Sequence, residues 1–388
     1  IGDYAFENCT GLISITIPKG VTSIGNYVFS YCTSLESIIL QEGLTTTSKG
    51  LFTNCESLIS ITIPEGITSI GESTFYNCIS LTSVILPESL KSIGNNAFVN
   101  CTSLKNINIP NGVTSIGIYA FYNCTSLTNI IIPKEVTYIG NLAFHLNDNL
   151  VIYVEATSPQ SGWSSDWNSS YRPVYYGVKE VLEYNDMQYL IIDGNITITR
   201  YIGNKITLEI PSKIGEYNVT RIGAYAFYNS TSLGSITIPE SVTHIEGYAF
   251  KDCYCVIYTE VTSLPSGWDW NGSNLSIYFG VKEVLEYNGM QYLIKYGTVT
   301  ITRYIGNQTT LEVPSMIGEY NVTRIGTYAF YNCANLEKII IPKSVTYIEG
   351  YAFKDCFNIV IYAEVDSRPS GWSLNWNVDN RPVIWGSK

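Results

Sequence analysis

Charge is scarce in this chain. Of its 388 residues only 14% are Asp, Glu, Lys or Arg, and 22 basic residues face 33 acidic ones, for a formal charge of −11. So few cations argue against nucleic acid or an anionic membrane surface as partner, because both are recognised by basic patches. Histidine occurs twice, as His145 and His244. Each takes a place that tyrosine or another surface residue takes elsewhere in the chain, and neither accompanies a nucleophile elbow or a singled-out acid pair. No catalytic residue, metal ligand or cofactor is therefore expected, and the chain reads as a non-enzyme. No apolar run is long enough to span a bilayer, so no membrane insertion is expected within these residues. A secretory leader is also lacking at the start. Ile1 falls in mid-repeat, so the sequence is expected to begin inside a longer parent. What is plentiful is apolar and aromatic material: 45% hydrophobic residues, with 31 tyrosines.

That material is periodic. Phe6, Phe29, Phe52, Phe75, Phe98, Phe121 and Phe144 follow one another every 23 residues, and Leu12, Leu35, Leu58, Leu81, Leu104, Leu127 and Leu150 keep the same step. A fixed period of this length marks a solenoid whose coils bury their apolar faces only by stacking. In each unit the segment typified by Leu12, Ile15, Ile17 and Pro18 alternates as a half-buried strand does, and the proline ends it. The expected fold is a right-handed, β-rich superhelix. Its parallel strands would form one curved sheet on the concave side, with short turns or short helical segments on the convex side. Gly25, Gly71, Gly94, Gly117 and Gly140 are read as tight-turn positions.

Ten cysteines could suggest a disulfide framework, yet Cys9, Cys32, Cys55, Cys78, Cys101, Cys124, Cys333 and Cys356 all stand three residues after the repeat phenylalanine. Asn147 and Ser230 replace cysteine there, so the column reads as buried free thiols at a site wanting a small side chain. Cys253-x-Cys255 stands apart without nearby histidines, which disfavours zinc.

Three endings divide the chain. Pro159 to Gly177, Pro265 to Gly280 and Pro369 to Gly386 each carry a Ser-Gly-Trp step and close on a short aromatic strand. The modules expected are 1–177 with seven coils, 178–280, and 281–388 as a near copy of the second. The last two open with Val-Lys-Glu-Val-Leu-Glu-Tyr-Asn and a hairpin signal at Asp193-Gly194-Asn195 or Tyr296-Gly297-Thr298. Trp163, Trp268 and Trp372 read as caps over open stack ends.

The unit Ile-Gly-x-x-Ala-Phe-x-x-Cys-x-x-Leu-x-x-Ile-x-Ile-Pro resembles the BspA-type leucine-rich repeat, and the likeness covers nearly the whole chain. The resemblance implies a secreted or surface-anchored protein, some relatives of which bind host matrix proteins or other cells. It implies no shared catalytic residue, and signal and anchor would lie outside this segment. A monomer is expected. The partner preferred is a host matrix or cell-surface protein rather than a glycan. The surface expected to take it is the concave one, where Glu36, Ile39, Thr62, Thr82, Ile85, Lys105, Asn106, Asn108, Thr128, Asn129 and Ile131 point outward. The competing readings are a spacer sheet, or sugar binding through exposed Tyr and Trp, of which the Tyr4, Tyr27 and Tyr119 column is the example.

Overall fold

The computed structural model describes residues 1–269 and 275–387; positions 270–274, in the second Trp-bearing ending, and Lys388 lie outside the described residues. Two compact units divide the chain, Ile1–Val181 and Leu182–Lys388.

In the first unit every coil contributes a strand at the position the alternation marks. Ser14–Ile17 pairs in parallel with Ser37–Leu40, Ser60–Thr62 with Ser83–Ile85 and then Asn106–Ile107, and Asn129–Ile132 with Val151–Val154 and then Val174–Tyr176. Like residues face like residues, as in Ile15 beside Ile38 and Ile61 beside Val84. The inward positions are buried and the outward ones are mostly exposed. Strand pairing is interrupted after Ser37–Leu40 and after Asn106–Ile107, so the ladder runs in three parts rather than as one sheet. The first interruption falls at the irregular third coil, where the Ile59 N–H still reaches the Glu36 carbonyl at 3.2 Å. In that coil Thr47 takes an isoleucine's place and is buried, with its hydroxyl bonded to Thr74 Oγ1 at 3.1 Å and accepting from the Gly71 N–H at 2.8 Å. A buried hydroxyl is tolerated because it is paired.

A second parallel ladder of two-residue strands follows: Ser69–Ile70, Ser92–Ile93, Ser115–Ile116, Tyr138–Ile139 and Gly162–Trp163. Opposite the main strands the chain forms short turns, the first of the two expected alternatives, and no helix occurs among the described residues. Tyr119 and Asn123 adopt φ of 55° and 56°, and left-handed residues four apart break the i to i−4 bonding of a helix. The N–H groups turn instead to the next coil, Tyr119 to Asn141 O at 3.0 Å, Phe121 to Ala143 O at 2.8 Å and Asn123 to His145 O at 2.9 Å. Each coil is thus hydrogen-bonded to its neighbour along several edges, and the core between them is a column of stacked rings, with Phe98 and Phe121 5.1 Å apart and 3° from parallel.

The glycine column serves a different purpose from the expected one. Gly94, Gly117 and Gly140 have no positive φ. A Cβ on any of them would come within 2.5–2.8 Å of backbone atoms in the preceding coil. Close approach of coil to coil is what requires glycine here; the left-handed turns fall two and six residues later, on Asn96 and Asn100, Tyr119 and Asn123, and Leu142 and Leu146.

The second unit contains two copies of a hairpin-opened arrangement. Met187–Ile192 and Asn195–Tyr201 pair antiparallel about Asp193 and Gly194, both at positive φ, and Met290–Lys295 and Thr298–Tyr304 do so about Tyr296 and Gly297. The outgoing hairpin strand then pairs in parallel with Tyr217–Ile222, or with Tyr320–Ile325 in the other copy. Tyr201 and Tyr304 stand at the head of the ring column, 5.7 Å from Phe227 and Phe330 respectively. Separate hydrophobic clusters run from Met187 to Trp268 and from Met290 to Trp376. The parallel ladder of Thr207–Glu209, Ser235–Ile238 and Val256–Thr259 ends at Ser276–Phe279, and a new one begins at Thr310–Glu312. The sheet therefore does not run unbroken across Gly280.

Candidate binding surface

The outward side of the main ladder in the first unit is built from the strand positions that the core does not use. Glu36, Ile39, Thr62, Ile85, Lys105, Asn106 and Asn108 are exposed, while Thr82, Thr128, Asn129 and Ile131 are half-buried. Register brings Thr62 beside Ile85 and Ser83 beside Asn106. Ile131 lies beside Tyr153, which is fully buried and stacked 5.9 Å from Tyr175. The open part of the surface is thus its first five coils, and towards Val151–Val154 it closes against aromatic rings. Ile13, Ile39, Ile59 and Ile85 on this face are 50–62% exposed. Ile13 and Ile59 share the column of Glu36 and Thr82; Ile39 and Ile85 share that of Thr62. The only charges among the candidate residues are Glu36 and Lys105.

The cysteine column is defined by more than size. Cys55, Cys78, Cys101 and Cys124 donate through Sγ–H to the backbone oxygens of Phe29, Phe52, Phe75 and Phe98 in the preceding coil, at 3.0–3.2 Å. Asn147 makes the same bond to Phe121 O at 2.7 Å. A donor is what the site needs, which explains why asparagine, larger than cysteine, replaces it. Cys253, three after Phe250, is a further buried member. All ten cysteines are free thiols, with Cys9 exposed and Cys333 half-buried as departures from the expected burial. Burial pushes the Cys32 thiol up to about 11 and those of Cys55, Cys78 and Cys101 further.

One ladder was missed from sequence. Asn54, Asn77, Asn100 and Asn123 all adopt left-handed backbone, and each amide donates to the oxygen of the one before it, at 2.8, 2.7 and 2.9 Å. The signal was present as an asparagine immediately before each cysteine of these coils. Asparagine tolerates that conformation better than other side chains with a Cβ.

The three tryptophans of the Ser-Gly-Trp steps are inside. Trp163, Trp268 and Trp372 are buried, and their indole N–H groups donate to Val136, Val242 and Val345 O at 3.0–3.1 Å. Trp167 meets the last ring of the column, Phe144, edge-on at 5.8 Å. His145 is half-buried, its Nδ1 bonded to Ser169 Oγ at 2.7 Å and Ser170 Oγ at 3.0 Å, and its ring lies 5.6 Å from Tyr122. His244 is exposed and bonds Thr243. Among the described residues no group of three His, Cys, Asp or Glu is placed to hold a metal ion, and no helix is long and apolar enough to cross a membrane.

The profile of the BspA type leucine rich repeat region (6 copies) matches residues 1–103, 68–157, 204–266 and 300–365. No curated protein matches the chain. Among solved structures, a leucine rich cell surface protein from Faecalibacterium prausnitzii is 24% identical, with 100% of this chain and 86% of that one covered and a TM-score of 0.31. A leucine-rich repeat protein from Bacteroides ovatus is 22% identical, covering 99% and 86% with a TM-score of 0.33. One from Eubacterium ventriosum is 23% identical, covering 93% and 91% with a TM-score of 0.32. The family match spans most of the chain and falls on the coils whose phenylalanine, cysteine and leucine columns build the core, and on that ground the chain belongs to the BspA-type leucine-rich-repeat family.

Proposed function

We propose that this chain is a non-enzymatic, extracellular binding protein that adheres to a protein of a host or neighbouring cell through the strand face of its first unit. The observation that carries this reading is the set of exposed isoleucines, Ile13, Ile39, Ile59 and Ile85, on a sheet whose inward face already supplies the core. Each of these side chains is still about half exposed, and burying the remainder against a partner would recover about 1–1.5 kcal/mol. With Glu36 and Lys105 the only charges among the candidate positions, recognition would rest on shape and apolar contact, so affinity should change little with salt. The buried tryptophans are not available for stacking on sugars, which weighs against the glycan reading.

The test is binding of the purified chain to parallel arrays of matrix proteins and glycans, repeated with Ile39→Asp/Ile85→Asp. A protein hit lost in the double variant, with its melting temperature unchanged, supports the proposal. Hits confined to glycans, or protein hits that the variant retains, would move the site elsewhere. Silence on both arrays would favour a spacer.

A further inference from the structure

The second unit repeats one arrangement twice, and the first copy shows what its far face is for. On that face of the 178–280 segment, Val256 and Tyr258 are at most 1% exposed because the hairpin of the 281–388 segment lies over them. Val256, Tyr258 and Val281 cluster with Tyr278, Val284 and Leu293. The Tyr258 hydroxyl shares a hydrogen bond with Thr302 Oγ1 at 2.5 Å and donates to Gln291 Oε1 at 3.4 Å. Beside them Tyr254 stacks 4.7 Å from Tyr331 and meets Tyr328 edge-on at 6.2 Å, while Ser276 Oγ donates to Thr327 O at 3.0 Å.

The same face exists on the 281–388 segment with no hairpin over it among the described residues; Lys338 Nζ lies 4.5 Å from the centre of the Tyr362 ring and the Arg381 guanidinium 5.1 Å from that of Phe357. Strand pairing identifies the equivalents: Tyr258 pairs with Tyr278, and Tyr362 pairs with Ile384. Phe357, at the position of Tyr254, is 65% exposed, and Ile384 is 44% exposed; Val360, Tyr362 and Trp385 are half-buried. The ring at the place of Tyr254 and the tyrosine of the outward strand pair are retained, with Ile384 in the place of Tyr278, although none of the three belongs to the core cluster there.

We propose that the face formed by Phe357, Val360, Tyr362 and Ile384 is a docking surface for a further hairpin-opened module of the kind that the 281–388 segment presents to the 178–280 segment. The occupant is defined by its chemistry: a β-hairpin offering two aliphatic residues in the places of Val284 and Leu293, a hydroxyl in that of Thr302, and a pair of tyrosines in those of Tyr328 and Tyr331. Continuity with the interface inside the second unit is the argument, since the same hairpin meets the same strand pair there.

The experiment extends the full chain so that Gly386 is followed by a duplicate of residues 281–388, and follows amide exchange against the parent. Exchange across 360–363 and the edge strand 383–385 should slow roughly ten-fold or more in the extended chain, because covering their exposed face raises the free energy of local opening. Tyr362→Asp/Ile384→Asp in the extended chain should restore the parent's rates there. The same double substitution in the parent should leave its melting temperature unchanged. Unaltered exchange at 360–363 beside a folded duplicate would overturn the proposal. So would a duplicate that gains no protection of its own, because the face would then be unable to support the hairpin.

Discussion

At the scale of single residues the cysteine column is a hydrogen-bonding device. The Phe52 carbonyl accepts from the Cys55 N–H at 3.1 Å and from the Cys78 thiol of the next coil at 3.2 Å. Serine keeps a donor at that place and alanine does not, so Cys78→Ser should cost about 1 kcal/mol and Cys78→Ala about 2, by loss of the bond and a small void. Denaturant midpoints of the two variants decide this; a serine variant less stable than the alanine one would refute it. The thiols also make stability sensitive to alkali. Burial holds the folded pKa of Cys32, Cys55, Cys78, Cys101 and Cys124 above the ordinary 9.0, reaching about 11 at Cys32 and further at the others. The unfolded chain therefore ionises first, binds fewer protons and gains relative to the native state as pH rises. Stability should be fully present below about 9 and fall as pH climbs from 9 towards 11, which melts across that range would register. In the native protein at neutral pH, Cys9 should alkylate far faster than Cys55, Cys78 or Cys101, since reaction needs both access and thiolate.

At the scale of the coil, two elements set how units stack. The first is the glycine column. Gly117→Ala puts a methyl 2.5 Å from Asn95 N, a backbone atom that can yield only by parting the coils. A loss of about 2 kcal/mol or more is expected, as for other overpacked interiors; a turn-only role would instead leave alanine harmless at this negative φ. Thermal or chemical melts separate the two. The second element is the closing loop of the first unit, where Gly162–Trp163 extends the minor ladder beside Tyr138–Ile139 and Trp163 packs edge-to-face on Trp167 at 5.1 Å. Trp163→Ala removes a buried indole and its bond to Val136 O, and should cost about 3 kcal/mol. Equilibrium unfolding checks it, and an unchanged midpoint would show that the loop is dispensable to the stack.

At the scale of the whole molecule, stability resides on the inward side of each coil, and the proposed recognition on the outward side of the first coils. The inward residues contact only neighbouring coils, so the energy of the stack is a sum of neighbour terms. The exposed outward residues of the first five coils carry little of it. Replacing Lys105, Asn106 and Asn108 together by alanine should therefore move the melting temperature by no more than about 1–2 °C. Binding of a partner that uses the strand face should weaken in the same variant, measured on whichever protein the array identifies. We further propose module ends at Gly177 and Gly280. In the second unit the aromatic contacts of Tyr254 with Tyr328 and Tyr331 tie the segments on either side of Gly280 together.

Much of this architecture was legible in the sequence because a repeat leaves so few choices. Phe6 through Phe144 at a constant step can only form a column, and the alternation of Leu12, Ile15 and Ile17 assigns one face inward before any coordinate is known. The hairpins at Gly194 and Gly297 were equally plain from their turn residues. What lay beyond reach depends on distances between residues one coil apart, which no residue's own type reveals. Only the stack shows that Gly117 sits against Asn95 backbone, that Cys78 reaches the Phe52 carbonyl, and that left-handed Tyr119 and Asn123 send their N–H groups to the next coil, which decides for turns over short helical segments. The same holds for the outer face. Sequence placed Ile39 and Ile131 in one column, but their different exposure was decided by Tyr153, whose ring stands beside Ile131 only once the coils are packed.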